Sequence, residues 1–154
     1  MNTGPVKTLP RFWPLLFPAT YLLHIAEEYL CGERFFNWAS RISGINLTEQ
    51  AFLEINAAAW TIMMLISAMA FSRPTFQWIV IPMSTAVTIN GVAHLLGTIF
   101  SRSYSPGLVT GVLLWIPLGA FTLYRARGTG RYWAGVILGV ILHGLVTLVA
   151  IISG

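Results

Sequence analysis

The sequence predicts an all-α protein, an integral membrane bundle of five transmembrane helices forming one domain over residues 1–154. Hydrophobic residues make up 56% of the chain and charged residues only 9%, whereas about a quarter of the residues in soluble domains are charged. The mean hydropathy is +0.72. Five apolar segments each reach the roughly 20 residues that cross a bilayer core of about 30 Å. The net charge of +4 therefore indicates membrane topology and not nucleic-acid binding.

Each predicted span is bounded by recognisable connections. The strings “FSRPTF”, “SRSYSPG” and “YRARGTGR” separate the later spans and contain the Gly and Pro residues that interrupt helices. Lys7 and Arg11 precede the first span as in a signal peptide. Its long apolar run and the lack of a clean small-residue cleavage pattern indicate a retained helix instead. The predicted spans cover about residues 12–31, 49–71, 75–100, 106–124 and 132–152.

The connection after the first span has a different composition. Phe35, Phe36 and Trp38 lie there beside Arg34 and Arg41. This pattern predicts a short amphipathic helix at about residues 34–43, lying at the membrane interface. An ordinary loop with aromatic residues at the membrane surface fits the same pattern equally well.

The distribution of positive charge predicts the orientation of the chain. Six Lys and Arg residues fall on the side of the N-terminus and three on the other side. The positive-inside rule then predicts a cytoplasmic N-terminus and, with five spans, an external C-terminus. Cys31 is the only cysteine, so no internal disulfide can form.

Seven polar residues that are uncommon in spanning helices fall at similar depths. At 1.5 Å per helical residue they lie roughly 16 to 28 Å from the cytoplasmic face. They include all three histidines and three of the five acidic residues of the chain, and they come from four predicted helices. This common depth predicts that they meet inside the bundle. The seven residues are His24, Glu27, Glu28, Glu54, Asn90, His94 and His143.

The spacing of these residues indicates which of them share a helix face. His24, Glu27 and Glu28 are spaced i, i+3, i+4 and therefore project from one face. Asn90 and His94 are four residues apart and share a face in the same way. On the last helix, Gly135 and Gly139 precede His143 at four-residue intervals. Small residues at that spacing allow close helix packing, so His143 is expected to point into the bundle.

The carboxylates need a partner, because a charge near the bilayer centre costs at least about 2.5–3.5 kcal/mol on insertion scales. A divalent transition metal would supply it, since histidine nitrogen and carboxylate oxygen together suit zinc, iron, manganese or copper. Zinc or iron is preferred here. Six donors exceed the needs of one tetrahedral ion, so either two ions bind or one carboxylate acts as a base. The predicted metal ligands are His24, Glu27, Glu28, Glu54, His94 and His143.

The predicted function is a metal-dependent enzyme that acts on a lipid or another hydrophobic small molecule. Glu54 is expected to be a bridging ligand or the general base, and Glu28 to take part in catalysis as well as ligation. Asn90 is expected to orient a ligand or a water molecule. Hydrolysis by zinc and oxidation by iron remain open, because the two metals accept the same ligand types.

Two other functions fit the same residues. Buried Glu and His side chains without a metal could transfer protons in an isomerase or cyclase. Intramembrane Glu and His also occur in proton-coupled carriers, although no inverted repeat is visible here. The glycine-rich helix faces would serve a homo-oligomer as well as a single bundle.

Several short motifs, taken in order, resemble those of a known family. “HIAEE” covers His24 to Glu28, “NGVAH” covers Asn90 to His94, and “YSPG” begins at Tyr104; a histidine in the last helix follows. In these features the chain resembles the HXXEE-domain family of small bacterial membrane proteins. The resemblance implies a bacterial inner-membrane location and carries no settled reaction. Two roles fit the “SRSYSPG” loop, which follows His94 closely. It could form a short lid beside the site in which Tyr104 donates a hydrogen bond, but a simple turn is the favoured interpretation.

Overall fold

A computed structural model describes residues 9–153 of the chain, and within that range every regular element is helical. The predicted all-α class is therefore confirmed. Lys7, which entered the charge count, lies outside the described residues. The six helices are α1 Leu16–Leu30, α2 Phe35–Ser43, α3 Glu49–Ser72, α4 Val80–Ser101, α5 Leu108–Ala126 and α6 Tyr132–Ile152.

Four of these helices are long and apolar enough to cross a membrane, so the prediction of five spans is wrong in number. They are α3, the segment Pro74–Ser101 that contains α4, α5 and α6. The predicted first span contains α1, which has 15 residues and is therefore about 22 Å long. Three ionisable side chains lower its hydropathy. The helix ends at Leu30 because Cys31 has extended backbone (φ −101°, ψ 145°) and Gly32 has φ +61°.

Helix α1 nevertheless lies alongside α3 over most of its length, in the antiparallel direction. The Arg11 guanidinium donates to the Phe71 carbonyl near the end of α3 (2.9 Å). The Tyr29 hydroxyl donates to Glu49, the first residue of α3 (2.5 Å). Protein shields the face of α1 that carries His24, Glu27 and Glu28, so these residues avoid the cost of facing lipid.

Helix α4 is the centre of the bundle. In the 18-residue apolar stretch of the segment that contains α4, half of the residues are buried, whereas 11% are buried in the corresponding stretches of α3 and α6. Glycines allow its neighbours to approach closely, as the sequence predicted for α6. A Cβ at Gly139 would lie 2.5 Å from Thr85 Cβ and 2.6 Å from the Pro82 carbonyl oxygen of α4. On the other side, a Cβ at Gly91 of α4 would lie 2.7 Å from the Gly111 carbonyl oxygen of α5.

The predicted short helix after α1 is present as α2, but its aromatic face packs against protein. Phe36 and Trp38 are buried. Phe36 contacts Phe52 of α3 with 5.8 Å between ring centroids. Trp38 donates from Nε1 to Ser103 Oγ (3.0 Å), just after α4. Helix α2 thus covers the end of the bundle at which α1 terminates.

Gly139→Ala is expected to destabilise the bundle by about 1–3 kcal/mol, because the added methyl group overpacks the α4–α6 contact. Gly144→Ala on the same helix is the matched control, since a Cβ there meets nothing within 4 Å. That control should unfold at the same temperature or slightly higher, because Ala is the better helix former. Thermal unfolding in detergent measures both. Equal midpoints for the two variants would contradict the observed packing of α6 on α4.

Candidate metal centre

The face of α1 that the motif spacing predicts is buried inside the bundle. His24 is 2% exposed, Glu27 8% and Glu28 4%. One residue of α4, His94, is 4% exposed and lies opposite this face. The i, i+3, i+4 arrangement therefore places two carboxylates and an imidazole beside a second imidazole from another helix.

Three of these side chains converge. Glu28 Oε1 lies 3.5 Å from His24 Nε2 and 3.2 Å from His94 Nε2. One potential ligand atom from each of the three residues lies within 4.8 Å of the other two. The imidazole rings meet edge to face, with 4.9 Å between their centroids. We refer to His24, Glu28 and His94 as the cluster.

The remaining nitrogen of each imidazole contacts a hydroxyl group. His24 Nδ1 lies 2.7 Å from Thr110 Oγ1 of α5, and His94 Nδ1 lies 2.9 Å from Ser105 Oγ in the loop before α5. Such contacts fix the orientation of an imidazole and leave its other nitrogen free for a ligand. Both Nε2 atoms are consequently directed at the same carboxylate oxygen.

The two ring nitrogens of His24 have different surroundings. Nδ1 contacts Thr110 Oγ1, whereas Nε2 faces Glu28 Oε1 at 3.5 Å. The Nε2 atom is buried and has no hydrogen-bond partner among the described residues.

Aromatic rings surround the cluster. Trp115 stacks on His24 with 3.7 Å between centroids and 26° between ring planes, and Phe35 of α2 lies 5.3 Å from His94. Trp115 is the last residue of a π-helical segment of α5, Gly111–Trp115, and such segments are frequent at functional sites. The rings exclude water and strengthen electrostatic interactions among the three polar groups.

Gly107 allows the loop before α5 to approach both imidazoles. Its φ of +98° is readily adopted only by glycine. A Cβ at this position would lie 2.7 Å from Cε1 of His94 and 2.9 Å from Cε1 of His24. Any larger residue would therefore displace at least one of the two rings.

The structure does not place Glu27 in the cluster. Its Oε1 accepts hydrogen bonds from the Tyr104 hydroxyl (2.5 Å) and the Val109 amide (2.8 Å), and its Oε2 accepts from the Thr110 amide (2.7 Å). The two amides belong to the first turn of α5, whose dipole favours a negative charge. Glu27 therefore caps α5 from a neighbouring helix, and its two oxygens are already occupied.

Tyr104 has a larger role than the simple turn predicted from the sequence. Burial and the hydrogen bond to Glu27 raise the pKa of this tyrosine well above its usual range. The hydroxyl accordingly remains a donor at neutral and moderately alkaline pH. Tyr104 thereby helps to connect the loop between α4 and α5 to α1.

The other predicted site residues lie elsewhere. Glu54 is exposed and accepts a hydrogen bond from Gln50 of its own helix (2.8 Å). His143 of α6 and Asn90 of α4 line a separate cavity. Equal depth in the bundle fixes only the position along the bundle axis, so it leaves residues on different helices free to point in different directions.

Three residues at the cluster were not anticipated as functional: Ser105, Thr110 and Trp115. Ser105 belongs to the “YSPG” motif, so its position in the motif is a signal that could have indicated it. Thr110 and Trp115 belong to no recognisable sequence motif. Their role depends on the crossing of α5 over α1, which spacing within one helix does not reveal.

Comparisons with known proteins agree with the motifs. A family described as “Protein of unknown function with HXXEE motif” matches residues 15–122, which include the whole cluster. One curated relative, “Uncharacterized protein YrkK” of Bacillus subtilis (strain 168), is 31% identical over 77 residues. The match covers 49% of this chain and 49% of that protein, so the chain spans about half the length of the curated relative. No solved structure matches the chain.

Glu27→Gln is expected to lower the stability of the fold by about 2 kcal/mol, because hydrogen bonds to a charged acceptor are lost at a helix N-terminus. Glu54→Gln is the matched control. It removes an exposed carboxylate and should change stability by less than about 0.5 kcal/mol. Thermal unfolding in detergent compares the two. A Glu27→Gln midpoint equal to that of Glu54→Gln would contradict the capping role.

Proposed function

The chain belongs to the HXXEE family, and we propose that it is an integral membrane, metal-dependent enzyme that acts on a lipid or another hydrophobic small molecule. One observation carries the proposal. Two imidazoles fixed through Nδ1 direct their Nε2 atoms at one buried carboxylate oxygen, at 3.5 and 3.2 Å. A buried carboxylate beside two imidazoles is unfavourable unless a cation or a proton compensates its charge.

The geometry of the cluster suits a single ion. Zinc ligands bond at about 2.0–2.2 Å, so neighbouring ligand atoms in a tetrahedral site lie about 3.3–3.5 Å apart. The two distances from Glu28 Oε1 agree with that spacing. Two His and one carboxylate are also the ligands of catalytic zinc and of mononuclear iron sites that retain an open position. Among the described residues three donors gather here, which favours one ion over two.

The residues of such a site would have two roles, to bind the ion and to orient its ligands. His24, Glu28 and His94 would hold the ion, while Thr110 and Ser105 would orient the imidazoles. A bound ion would act as a Lewis acid toward a polar group of the substrate. Burial of the ligands excludes bulk water, which makes every charge interaction in the site stronger.

The proposed location is a bacterial inner membrane. Arg73 follows α3, Arg125 lies in the last turn of α5, and Arg127 and Arg131 lie between α5 and α6, so all four occur at one end of the bundle. Arg11 contacts the end of α3 at the same end. The positive-inside rule assigns this end to the cytoplasm. The C-terminus of α6 and the cluster then lie toward the external side.

A metal-free acid–base function is the second candidate. The contact of Glu28 Oε1 with both Nε2 atoms would also form a proton relay between two imidazoles if one of them were protonated. An isomerase or cyclase acting on an apolar substrate would use such a relay. Metal content separates the two candidates.

Protein purified in detergent without chelators is expected to contain about one equivalent of a transition metal, as measured by elemental mass spectrometry. His24→Ala and His94→Ala should each lower the content by at least about tenfold, because two ligands bind far more weakly than three. His143→Ala is the matched control and should retain the metal, since His143 is an intramembrane histidine outside the cluster. Metal-free protein that also resists reloading would favour the acid–base candidate, and loss of metal from the control would contradict the assigned ligands.

Gly107→Ala provides a test that leaves all three ligands in the chain. The new methyl group would displace the imidazoles, so the metal content should fall by at least about tenfold, a loss comparable to that of an outer-shell partner. Gly44→Ala is the control. Gly44 also has positive φ (+74°), but a Cβ there meets nothing within 4 Å. Both variants carry the same type of backbone strain, and only the first should lose metal; equal retention would argue against the proposed site.

A further inference from the structure

A separate cavity of about 420 Å³ is lined in part by Trp115, the residue that stacks on His24 of the cluster. Residues of α1, α3, α4 and α6 form most of its wall, and Trp115 contributes from α5. The volume falls within the range of small-molecule sites, which are typically about 300–1,000 Å³. Its lining is predominantly apolar and contains no Lys, Arg, Asp or Glu.

The cavity wall contains polar groups that lack partners within the described part of the chain. Asn90 Oδ1 and Trp115 Nε1 are buried and form no hydrogen bond. The Thr147 hydroxyl donates to the backbone carbonyl of His143, and the imidazole of His143 forms no hydrogen bond with the described residues. Buried polar groups are nearly always paired in folded proteins, so several unpaired groups around one cavity indicate a missing partner.

We propose that this cavity binds one uncharged lipid, an apolar chain with a single hydroxyl or carbonyl group, and that the polar end lies beside Asn90, Trp115 and His143. The absence of charged lining residues disfavours a fatty-acid carboxylate or a phosphate headgroup, whose burial without a counter-charge is costly. A hydroxyl group suits this lining best, because it can both donate and accept hydrogen bonds. It would bond to the side-chain amide of Asn90 or to the imidazole of His143, which both line the cavity.

The lipid would enter from the bilayer between α3 and α6. The cavity opens there, where Ile62 of α3 is 58% exposed and Leu145 of α6 is 51% exposed. These apolar side chains would face acyl chains in a membrane. An apolar molecule could therefore move from the bilayer to the cavity without crossing water, at little cost in solvation.

The cavity is also connected to the cluster. The indole of Trp115 lines the cavity, and the same ring stacks on His24 at 3.7 Å. One aromatic ring thus separates the polar end of the cavity from the cluster. The interpretation of the bound lipid as the substrate rests on the proposed function, whereas its binding does not depend on that function.

Photo-crosslinking tests the binding directly. The probe is a 16-carbon alcohol with a diazirine in its chain, added to detergent-purified protein, and the labelled peptides are mapped by mass spectrometry. Labelling is expected at cavity residues such as Met63 and Leu142. Unlabelled hexadecanol should compete, and hexadecanoate should compete at least about tenfold less well, because a buried carboxylate lacks a counter-charge.

Two matched pairs of measurements make the test specific. Ala59→Phe fills the cavity and should lower labelling by at least about fivefold. Ala57→Phe, on an exposed position of the same helix outside the cavity, should not lower it. Asn90→Leu should weaken competition by hexadecanol about fivefold through the lost hydrogen bond. Competition by hexadecane, which has no hydroxyl, should remain unchanged.

The combined variant His24→Ala, His94→Ala separates this inference from the proposed function. Retained labelling in that variant would support the cavity as a binding site whatever the metal content proves to be. Equal competition by alcohol and carboxylate would overturn the inference, and so would equal labelling of the Ala59→Phe and Ala57→Phe variants.

Discussion

The carboxylate of Glu27 holds the arrangement of the candidate site together, because it joins α1 to the first turn of α5 and to the loop before it. It accepts hydrogen bonds from two backbone amides and from Tyr104. The charge at the N-terminus of a helix is compensated by the helix dipole and by unpaired amide donors. One side chain therefore satisfies a helix end, neutralises its own buried charge and fixes the angle at which α5 passes α1. Gly107 and Thr110 reach the imidazoles as a result.

The two adjacent carboxylates of the motif have different environments because successive residues of an α-helix are rotated by about 100°. Glu27 points toward the N-terminus of α5, where backbone donors surround it. Glu28 points toward α4, where it contacts His94, and it also contacts His24 of its own helix. The spacing H-x-x-E-E thus allows one helix to contribute a cap and two of the three residues of the cluster. This separation of roles agrees with the general expectation that a buried charge is either fully hydrogen-bonded or paired.

Much of the fold was predictable from hydropathy, and the failures have physical causes. The predicted segments at 49–71, 75–100, 106–124 and 132–152 agree closely with α3 to α6. The first predicted span was counted in error, because α1 is short and polar, and protein covers the face that carries its ionisable residues. Within the site, His24, Glu28 and His94 were predicted from depth and from i, i+4 spacing. Glu54 and His143 share that depth but face other directions, since their helices are rotated about their own axes by packing contacts that no single-helix pattern encodes.

Trp115 determines how the polar and apolar parts of the interior are related. The ring stacks on His24 and also lines a cavity that is predominantly apolar. The indole is rigid and almost fully buried. It therefore excludes water from the cluster, although the cavity lies next to the same ring. A polar group delivered from the bilayer would therefore approach the cluster through a low-dielectric environment, in which charge–dipole interactions are stronger than in water. This separation by a single side chain makes a lipid-facing entrance compatible with buried ionisable residues.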